Sequence, residues 1–519
     1  MADLVFEPIR DRIESTTYLL YDGAAGTGGM LTVAEERLRQ LANARGKSVS
    51  MHAYGQEINP ETWAIAQADL LIKGERAENV KWGSTLAADA FPADTFDFML
   101  SNPPYGKSWK TDLDRLGGKD GMQDARFIIR HGGDPEYSLV TRSSDGQLMF
   151  LANMLSKMKT DTPLGSRIVE VHNGSSLFTG DAGQGESNIR RWIIENDWLE
   201  AIIALPNNMF YNTGIATYIW VLTNRKEDRR KGKVQLVDAT KRFTPRRKNL
   251  GQKNADLSET DIAAIMDEFL AFAETESSKI FPNAAFGYWK VTVDRPLKLR
   301  VDIPEGPIAR HPERPTARHP ERPTTCHPEL VEGSLEEDRN PTRLPSTARH
   351  PTYDALPGPI RDTLQAVAHD LGTRTTGDYA AFTKALDRIA KQRGLRLTAT
   401  LRKVIRDAIA ARDEMAEPIV RKRGYDTVEY EPDPELRDTE QISLLEPGGI
   451  VGFFEREVRP HVPDAWIVPG SERIGYEISF TRHFYKPKKL RTLAEIEADI
   501  RALERETDGL LEEILVETH

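Results

Sequence analysis

Between Tyr18 and about Lys290, apolar runs of strand length alternate with amphipathic stretches of helix length. This alternation is typical of a parallel sheet with helices on its faces, because each parallel strand must be followed by a crossover connection. One α/β domain accounts for this part of the chain. The predicted strands contain YLLYD, SMHAYG, FDFML, RIVEVH, LEAIIAL and ATYIWVLT, and the predicted helices include Leu31 to Asn43 and Pro60 to Lys73.

The third of these strands ends abruptly, in the stretch FDFMLSNPPYG. Pro103 and Pro104 cannot donate ladder hydrogen bonds, so Asn102 and Tyr105 are expected on a stiff turn at the carboxyl end of the strand. Ligands bind at that edge in open α/β sheets, which favours a functional site. An ordinary Asn-Pro turn that only reverses the chain is the alternative interpretation.

The first two strands also end in residues suited to a ligand. The first strand leads into a glycine-rich turn, which lets backbone approach a ligand closely, and the second ends in Glu57, which is placed to accept hydrogen bonds from both hydroxyls of a ribose. With the Asn-Pro-Pro-Tyr turn they would face one crevice, which predicts a nucleoside-containing cofactor. The cofactor-binding residues predicted in the turn are Asp22, Gly23, Ala24, Gly26, Thr27, Gly28 and Gly29.

The amino-acid composition restricts which cellular compartment and which binding partners are expected for the protein. The only cysteine among 519 residues is Cys326, which excludes a disulfide framework or a multi-cysteine zinc site and suits a reducing cytoplasm. The sequence contains no long uncharged apolar run, so neither a membrane span nor a signal peptide is expected. The net charge is −10, yet basic residues cluster between Arg229 and Lys248 and between Lys486 and Arg491. A solvated face and a contact with nucleic-acid phosphates are equally good interpretations of these clusters.

The chain after the α/β domain divides into two regions. Residues 301–357 carry the octapeptide ARHPERPT twice in tandem, at Ala309 to Thr316 and Ala317 to Thr324, which predicts a disordered insert whose histidines bind no metal. Residues 358–519 are predicted to be helical and to serve subunit docking. The predicted helices are Ile360 to Leu371, Tyr379 to Gln392, Leu397 to Met415 and a last one in which apolar residues from Leu493 to Ile514 advance by three and four. That apolar seam suits a partner helix or packing on the chain's own domain.

The sequence resembles a known family. The order of LLYDGAAGTGGML, YGQEINPETW and LSNPPYGKSW, followed by GESNIRRWIIENDWLEA and GYEISFTRHFYKP, is similar to that of the modification subunits of type I restriction-modification systems. Those subunits are N6-adenine DNA methyltransferases that use S-adenosylmethionine on a Rossmann-like sheet. The resemblance covers residues 2–300 and 359–519. It implies DNA, a specificity subunit, a second modification subunit and a restriction subunit as partners.

The resemblance also implies roles for particular residues. The Asn102 side-chain oxygen and the Pro103 carbonyl would each accept one hydrogen of the adenine amine and aim its lone pair at the sulfonium methyl. The base must be flipped out of the duplex, and Tyr105 would stack on one face of it. Phe210 would stack on the other face, with Tyr211 as a substitute and core packing of both aromatics as the alternative. No metal is expected.

The sequence departs from the family at three points. Gly23 replaces a proline and Ser84 replaces an acidic residue that would contact the cofactor, and Asp89 is the expected replacement. The family's helical domain and cofactor-closing segment precede the point where this chain starts, so we expect Met1 to be an internal methionine. An active subunit and a truncated remnant that only docks therefore both remain open. A protein-glutamine methyltransferase is a weaker alternative, because those enzymes should end soon after the sheet.

Overall fold

The computed structural model describes residues 1–211, 214–305, 352–424, 428–485 and 492–516. The chain forms two compact units. The first comprises residues 1–289, 443–445 and 473–519, and the second comprises residues 290–442 and 446–472. This division differs from the predicted boundaries at residues 300 and 358, since the last part of the chain belongs to the same unit as the N-terminal α/β region.

The first unit contains most of the strands and helices that position the site. Its strands up to residue 282 are β1 (Thr17–Asp22), β2 (Ser50–Glu57), β3 (Val80–Trp82), β4 (Phe98–Ser101), β5 (Ile128–His131), β6 (Asp134–Ser138), β7 (Arg167–Asn173), β8 (Leu199–Ala204), β9 (Thr217–Thr223), β10 (Lys233–Asp238), β11 (Thr244–Leu250), β12 (Lys253–Asp256) and β13 (Ser278–Pro282). Its helices up to that point are α1 (Ala2–Phe6), α2 (Gly29–Ala44), α3 (Pro60–Ile72), α4 (Lys110–Arg115), α5 (Gln147–Ser156), α6 (Ser175–Phe178), α7 (Gly185–Glu195) and α8 (Glu259–Ala271).

A nine-stranded sheet forms the centre of this unit, in the order β13-β10-β8-β9-β7-β4-β1-β2-β3. Strands β3, β2, β1, β4 and β7 run parallel to one another. Strand β9, predicted as one more parallel strand, runs antiparallel between β7 and β8, because its chain returns directly from β8 without a crossover helix. Since β1 lies between β2 and β4, the strand order reverses there, which is where open α/β sheets bind ligands.

The sheet is buried on both faces, as its continuous apolar strands predict. Along β1 and β4 the side chains alternate between two apolar clusters: Leu20 and Phe98 belong to one, and Tyr21 and Met99 belong to the other. Phe6 of α1 packs edge-on against Phe98, with ring centroids 4.9 Å apart. This double burial holds the strand ends in fixed positions, and the residues of the site follow those ends.

Beyond residue 286 the chain forms short strands and further helices. The strands are β14 (Gly287–Asp294), β15 (Leu299–Asp302), β16 (Thr375–Thr376), β17 (Ala410–Arg412), β18 (Val420–Arg423), β19 (Val428–Tyr430), β20 (Asp438–Ser443), β21 (Trp466–Ile467) and β22 (Arg473–Tyr476). The helices are α9 (Gly358–Leu371), α10 (Tyr379–Gln392), α11 (Ala399–Ile409), α12 (Gly449–Phe453), α13 (Phe480–Phe484) and α14 (Leu493–Val516).

Helices α9, α10 and α11 surround the apolar core of the second unit. The first two match their predicted spans, whereas α11 ends at Ile409, six residues before the predicted end at Met415. The chain becomes extended there because β17 pairs antiparallel with β15. The last predicted helix is present as α14.

The predicted insert, residues 301–357, has folded edges. Val301 and Leu356 are buried in the core of the second unit, and the Tyr353 hydroxyl accepts a hydrogen bond from Gln365 Nε2 at 2.5 Å. Because apolar residues at both edges pack into this core, the folded part of the chain includes residues that the composition had predicted to be disordered. The tandem repeats and their histidines lie outside the described residues.

Candidate active site

The turn after β1 is built around two glycines that no other residue type would replace easily. Gly26 and Gly28 have φ angles of 56° and 80°, in the left-handed region. Beneath the turn, the buried Asp22 carboxylate accepts hydrogen bonds from the Ala24 amide at 2.9 Å and from Ser101 Oγ at 2.7 Å. Burial raises the pKa of Asp22 to about 7. This carboxylate therefore joins the ends of β1 and β4.

Glu57 connects the glycine-rich turn to the end of β2. Its Oε2 atom accepts a hydrogen bond from the Gly26 amide at 2.9 Å, and its Oε1 atom accepts one from the Asn59 amide at 2.8 Å. Asn59 in turn caps α3 through the amides of Glu61 and Thr62. Each carboxylate oxygen has a second acceptor direction. Glu57 can therefore still receive two ribose hydroxyls.

The Asn-Pro-Pro-Tyr turn follows β4 directly, as predicted. Asn102 is exposed, Pro103 is buried and Tyr105 is half-buried. Partial burial raises the pKa of Tyr105, so its ring is neutral and suited to stacking at physiological pH. The turn ends at Gly106, whose amide donates a hydrogen bond to Asp145 Oδ1 at 3.1 Å.

Asp145 belongs to a polar cluster behind this turn that sequence reasoning missed. Its carboxylate also accepts hydrogen bonds from Gln147 Nε2 at 2.7 Å and from Ser175 Oγ at 3.2 Å. Gln147 in turn donates to Asn173 Oδ1 at 2.8 Å. These residues fix the far end of the Asn-Pro-Pro-Tyr turn to α5 and β7. No local motif marks them, because their contacts span long separations in the sequence.

A buried pair lies next to this cluster. His172 Nε2 lies 3.1 Å from Glu170 Oε2, and His172 Nδ1 lies 3.2 Å from Gln147 Oε1. Burial lowers the pKa of His172 to about 3 and raises the pKa of Glu170 well above its ordinary value. His172 is therefore neutral at physiological pH and burial favours the neutral form of Glu170, which suits a structural role under the turn.

One cavity of about 910 Å³ brings the predicted elements together. It belongs to the first unit and has the size of a pocket for a cofactor. Asp22 lies buried beneath this cavity, and Thr27, Gly28 and Gly29 lie outside its lining at the start of α2. The predicted residues that line it are Gly23, Ala24, Gly26, Glu57, Asn102, Pro103, Tyr105 and Phe210.

Asp89, predicted to contact the cofactor, does not line the cavity. Its carboxylate accepts hydrogen bonds from the Phe91 amide at 2.9 Å and from Lys157 Nζ at 2.6 Å. The structure therefore does not place Asp89 with the other predicted cofactor-binding residues, because its carboxylate binds the internal cation Lys157. Asp112 lines the cavity instead and accepts a hydrogen bond from Ser84 Oγ at 2.8 Å. The hydrogen-bonded pair of Ser84 and Asp112 thus supplies an acidic side chain at the cavity wall, where Ser84 stands in place of the expected acidic residue.

The opposite wall of the cavity consists of the loop after β8. Phe210 is half-buried, packs against one core cluster and lines the cavity. Tyr211 also lines the cavity and is 59% exposed. The Lys253 ammonium lies 5.6 Å from the centroid of its ring. Of the two aromatics, Tyr211 therefore offers more surface to a ligand.

In the part of the chain that the structure describes, we find no helix with the length and apolar character needed to span a membrane. Within the same residues, no group of three or more His, Cys, Asp or Glu side chains is arranged to hold a metal ion.

The sheet order and the three strand-end elements around one cavity define a Rossmann-like α/β fold with a pocket at its strand ends. The chain belongs to the N-6 DNA Methylase family, whose sequence model matches residues 4–288.

Several characterised relatives are methylase subunits of type I restriction enzymes. The chain is 27% identical over 258 residues to the MjaIX methylase subunit of Methanocaldococcus jannaschii, covering 50% of this chain and 42% of that one. It is 28% identical over 272 residues to the HindI methylase subunit of Haemophilus influenzae, covering 52% and 54%. The chain thus spans about half the length of these relatives. A crystal structure of a type I methyltransferase subunit from Streptococcus thermophilus is 23% identical, covers 55% of each chain and has a TM-score of 0.43.

Proposed function

We propose that this chain transfers a methyl group from S-adenosylmethionine to the exocyclic N6 amine of adenine in DNA, as the modification subunit of a type I restriction-modification system. The observation that carries the proposal is the single cavity lined by the glycine-rich turn, Glu57 and the Asn-Pro-Pro-Tyr turn. Membership of the N-6 DNA Methylase family supports the reaction, and the named relatives support the biological system.

The residues of the cavity fit S-adenosylmethionine, which supplies the electrophilic methyl group when bound. Backbone at Gly23, Ala24 and Gly26 leaves room for close approach of the cofactor, and Glu57 accepts the ribose hydroxyls. Asp112 and Ser84 offer polar contacts on the adjoining wall. The negative charge of Glu57 and Asp112 suits a cofactor that carries positive charge at its sulfonium and ammonium groups.

Asn102 and Pro103 act on the target amine. The amine is a poor nucleophile because its lone pair is delocalised into the purine ring. The Asn102 side-chain oxygen and the Pro103 carbonyl each accept one of its hydrogens, which favours a tetrahedral nitrogen with its lone pair aimed at the methyl group. The direct displacement needs no covalent intermediate on the protein. The polar cluster of Asp145 and Gln147 holds the turn in position during this step.

The adenine must leave the duplex to reach this turn, and aromatic rings replace the stacking that it loses. Tyr105 stacks on one face, and Phe210 or Tyr211 stacks on the other. We propose that sequence recognition comes from a separate specificity subunit, with a second copy of this chain and a restriction subunit completing the complex in the cytoplasm. The candidate docking surface is α14, where Ile500 and Leu503 are 56% and 62% exposed.

The test is methyl transfer by the full chain together with its specificity subunit. Radiolabelled S-adenosylmethionine and unmodified DNA should yield labelled N6-methyladenine with wild-type chain. Asn102→Ala should abolish transfer while changing cofactor affinity less than about two-fold, because Asn102 contacts the amine and not the cofactor. Transfer retained by Asn102→Ala contradicts the mechanism.

The same assay separates the other two interpretations. Cofactor binding without transfer to DNA by the wild-type chain indicates a remnant that only docks. Labelling of a glutamine-containing peptide instead of DNA indicates a protein-glutamine methyltransferase.

A further inference from the structure

The basic region from Arg229 to Lys248 divides into two parts with different environments. Arg229 and Arg230 donate hydrogen bonds to the last carbonyl groups of α8, those of Phe269, Leu270 and Ala271. Arg230 is buried and lies 4.3 Å from the centroid of the Phe272 ring. Both cations therefore stabilise the C-terminal end of a helix, and the buried Arg230 is not available to an outside partner.

The second part of this region forms an exposed hairpin of β11 and β12. Arg246 and Lys253 form ion pairs with Asp256, which anchors the hairpin internally. Arg247 and Lys248 are exposed, and within the part of the chain that the structure describes neither side chain makes an ion pair or a hydrogen bond. The hairpin therefore presents two cations to solvent on a protein whose net charge is −10.

Three hydrogen bonds join this hairpin to the loop that forms one wall of the cavity. The Gln252 amide donates to the Tyr211 carbonyl at 3.2 Å, and the Asn254 amide donates to the Asn208 carbonyl at 3.1 Å. Lys253 Nζ donates to the Met209 carbonyl at 2.8 Å. The strand β12 is thus tied to the segment that carries Phe210 and Tyr211. Because β11 pairs with β12, the cations on β11 belong to the same hairpin that contacts this segment.

A shallow cleft of about 440 Å³ lies between this loop and the hairpin. Asn207, Asn208, Asn254, Thr240 and Arg246 are among the residues that line it. Neutral donors of this kind, combined with arginine and lysine, are the groups that contact phosphate and sugar in protein–DNA complexes. The cleft therefore adds polar residues and Arg246 to the surface between the loop and the hairpin.

We propose that the β11–β12 hairpin contacts the phosphate backbone of DNA on the side of the flipped nucleotide, with Arg247 and Lys248 as the main phosphate contacts. The proposal rests on the proposed function, because the contacted phosphates belong to the DNA strand that carries the flipped adenine. A flipped nucleotide leaves a distorted backbone beside it, and cations fixed to the stacking loop stabilise that backbone where the base enters the cavity. These contacts carry no sequence information.

The test uses the full chain and two fluorescent 30-base-pair duplexes of unrelated sequence. Binding is measured by anisotropy between 25 and 200 mM KCl for the wild type and for R247Q/K248Q. Because each phosphate contact contributes about 0.9 to the slope of log Kd against log salt, the variant should lower that slope by about 2 and weaken binding of both duplexes equally, by roughly 10-fold or more at 50 mM KCl.

A matched control is available in the second unit. The hairpin of β18 and β19 also carries an exposed Arg-Lys pair, Arg421 and Lys422. R421Q/K422Q removes the same charge from the same type of structure and should leave the slope and the affinity unchanged. Calorimetric titration with S-adenosylmethionine confirms that both variants are folded, because neither pair lines the cavity.

The proposal is overturned if R247Q/K248Q binds DNA with the wild-type slope, if the control variant loses as much affinity, or if the wild type prefers an RNA duplex of equal length. A wild-type chain that binds S-adenosylmethionine but no DNA at 25 mM KCl also overturns it, and leaves the cofactor part of the proposed function intact. A chain that binds neither contradicts the proposed function itself.

Discussion

Replacing Glu57 by alanine tests the assignment of the cofactor's ribose. In the structure Glu57 lines the cavity, both its oxygens already accept one backbone amide, at 2.9 and 2.8 Å, and each retains one further acceptor direction. Two hydrogen bonds from ribose hydroxyls to a carboxylate contribute about 1.5 kcal/mol each at the low end of the usual range. Losing both costs about 3 kcal/mol, which corresponds to roughly a 100-fold weaker Kd.

The assay is calorimetric titration with S-adenosylmethionine. Glu57→Gln keeps one acceptor oxygen and nearly the same volume but loses the charge, so its Kd should weaken by about 10-fold. Glu61→Ala is the matched control, because this exposed carboxylate lies four residues further on in the first turn of α3 and does not line the cavity. Its Kd should stay at the wild-type value.

A double-mutant cycle separates a ribose contact from a general loss of structure. An analogue of the cofactor that lacks the 2′-hydroxyl should bind the wild type more weakly, yet Glu57→Ala should bind the analogue and the natural cofactor almost equally. Melting curves report whether the Gly26 and Asn59 amides, which lose their acceptor, destabilise the variant. Equal affinity of wild type and Glu57→Ala for the natural cofactor, in folded protein, would refute the ribose assignment.

Three further predictions concern stability and partnership. Burial raises the pKa of Asp22 to about 7, so its carboxyl takes up a proton on folding and its contribution to stability is lost as pH rises from 4 to 7. Chemical denaturation should show Asp22→Asn gaining up to about 4 kcal/mol relative to wild type over that interval, and parallel pH profiles would contradict this. Deleting residues 306–351 should shift the melting temperature by less than about 2 °C, because loop-closure entropy changes slowly with length. Tyr353 must be kept because it is buried, and a shift of many degrees would show that the repeats stabilise the fold. Replacing Ile500 and Leu503 by aspartate should abolish co-purification with the specificity subunit and preserve S-adenosylmethionine binding, whereas joint loss of both properties would place α14 in the chain's own core.

The sequence alone was sufficient to predict the sheet and the principal edge of the site. Burial on both faces requires continuous apolar strands, and glycines and prolines mark where such strands must end, so the ends of β1, β2 and β4 could be predicted from local pattern. Parallel strands place their carboxyl ends at one edge. The meeting of Gly26, Glu57 and Asn102 around one cavity therefore followed from their order in the chain.

Some features depended on contacts between distant segments. The antiparallel direction of β9 follows from its return path after β8, which apolar composition does not encode. The folded edges of the predicted insert follow from packing of Val301 and Leu356 with α9, α10 and α11, residues that are close only in three dimensions.

The roles of charged side chains were decided by tertiary structure alone. Asp89 and Asp112 are both acidic, but the Asp89 carboxylate binds Lys157, whereas Asp112 lines the cavity. Arg230 and Arg247 belong to one basic run, but only the second is exposed. A charge interacts with whatever lies within a few ångströms, and those neighbours come from distant parts of the chain. Sequence patterns therefore predict where strands end, whereas the fold determines which charges reach a ligand.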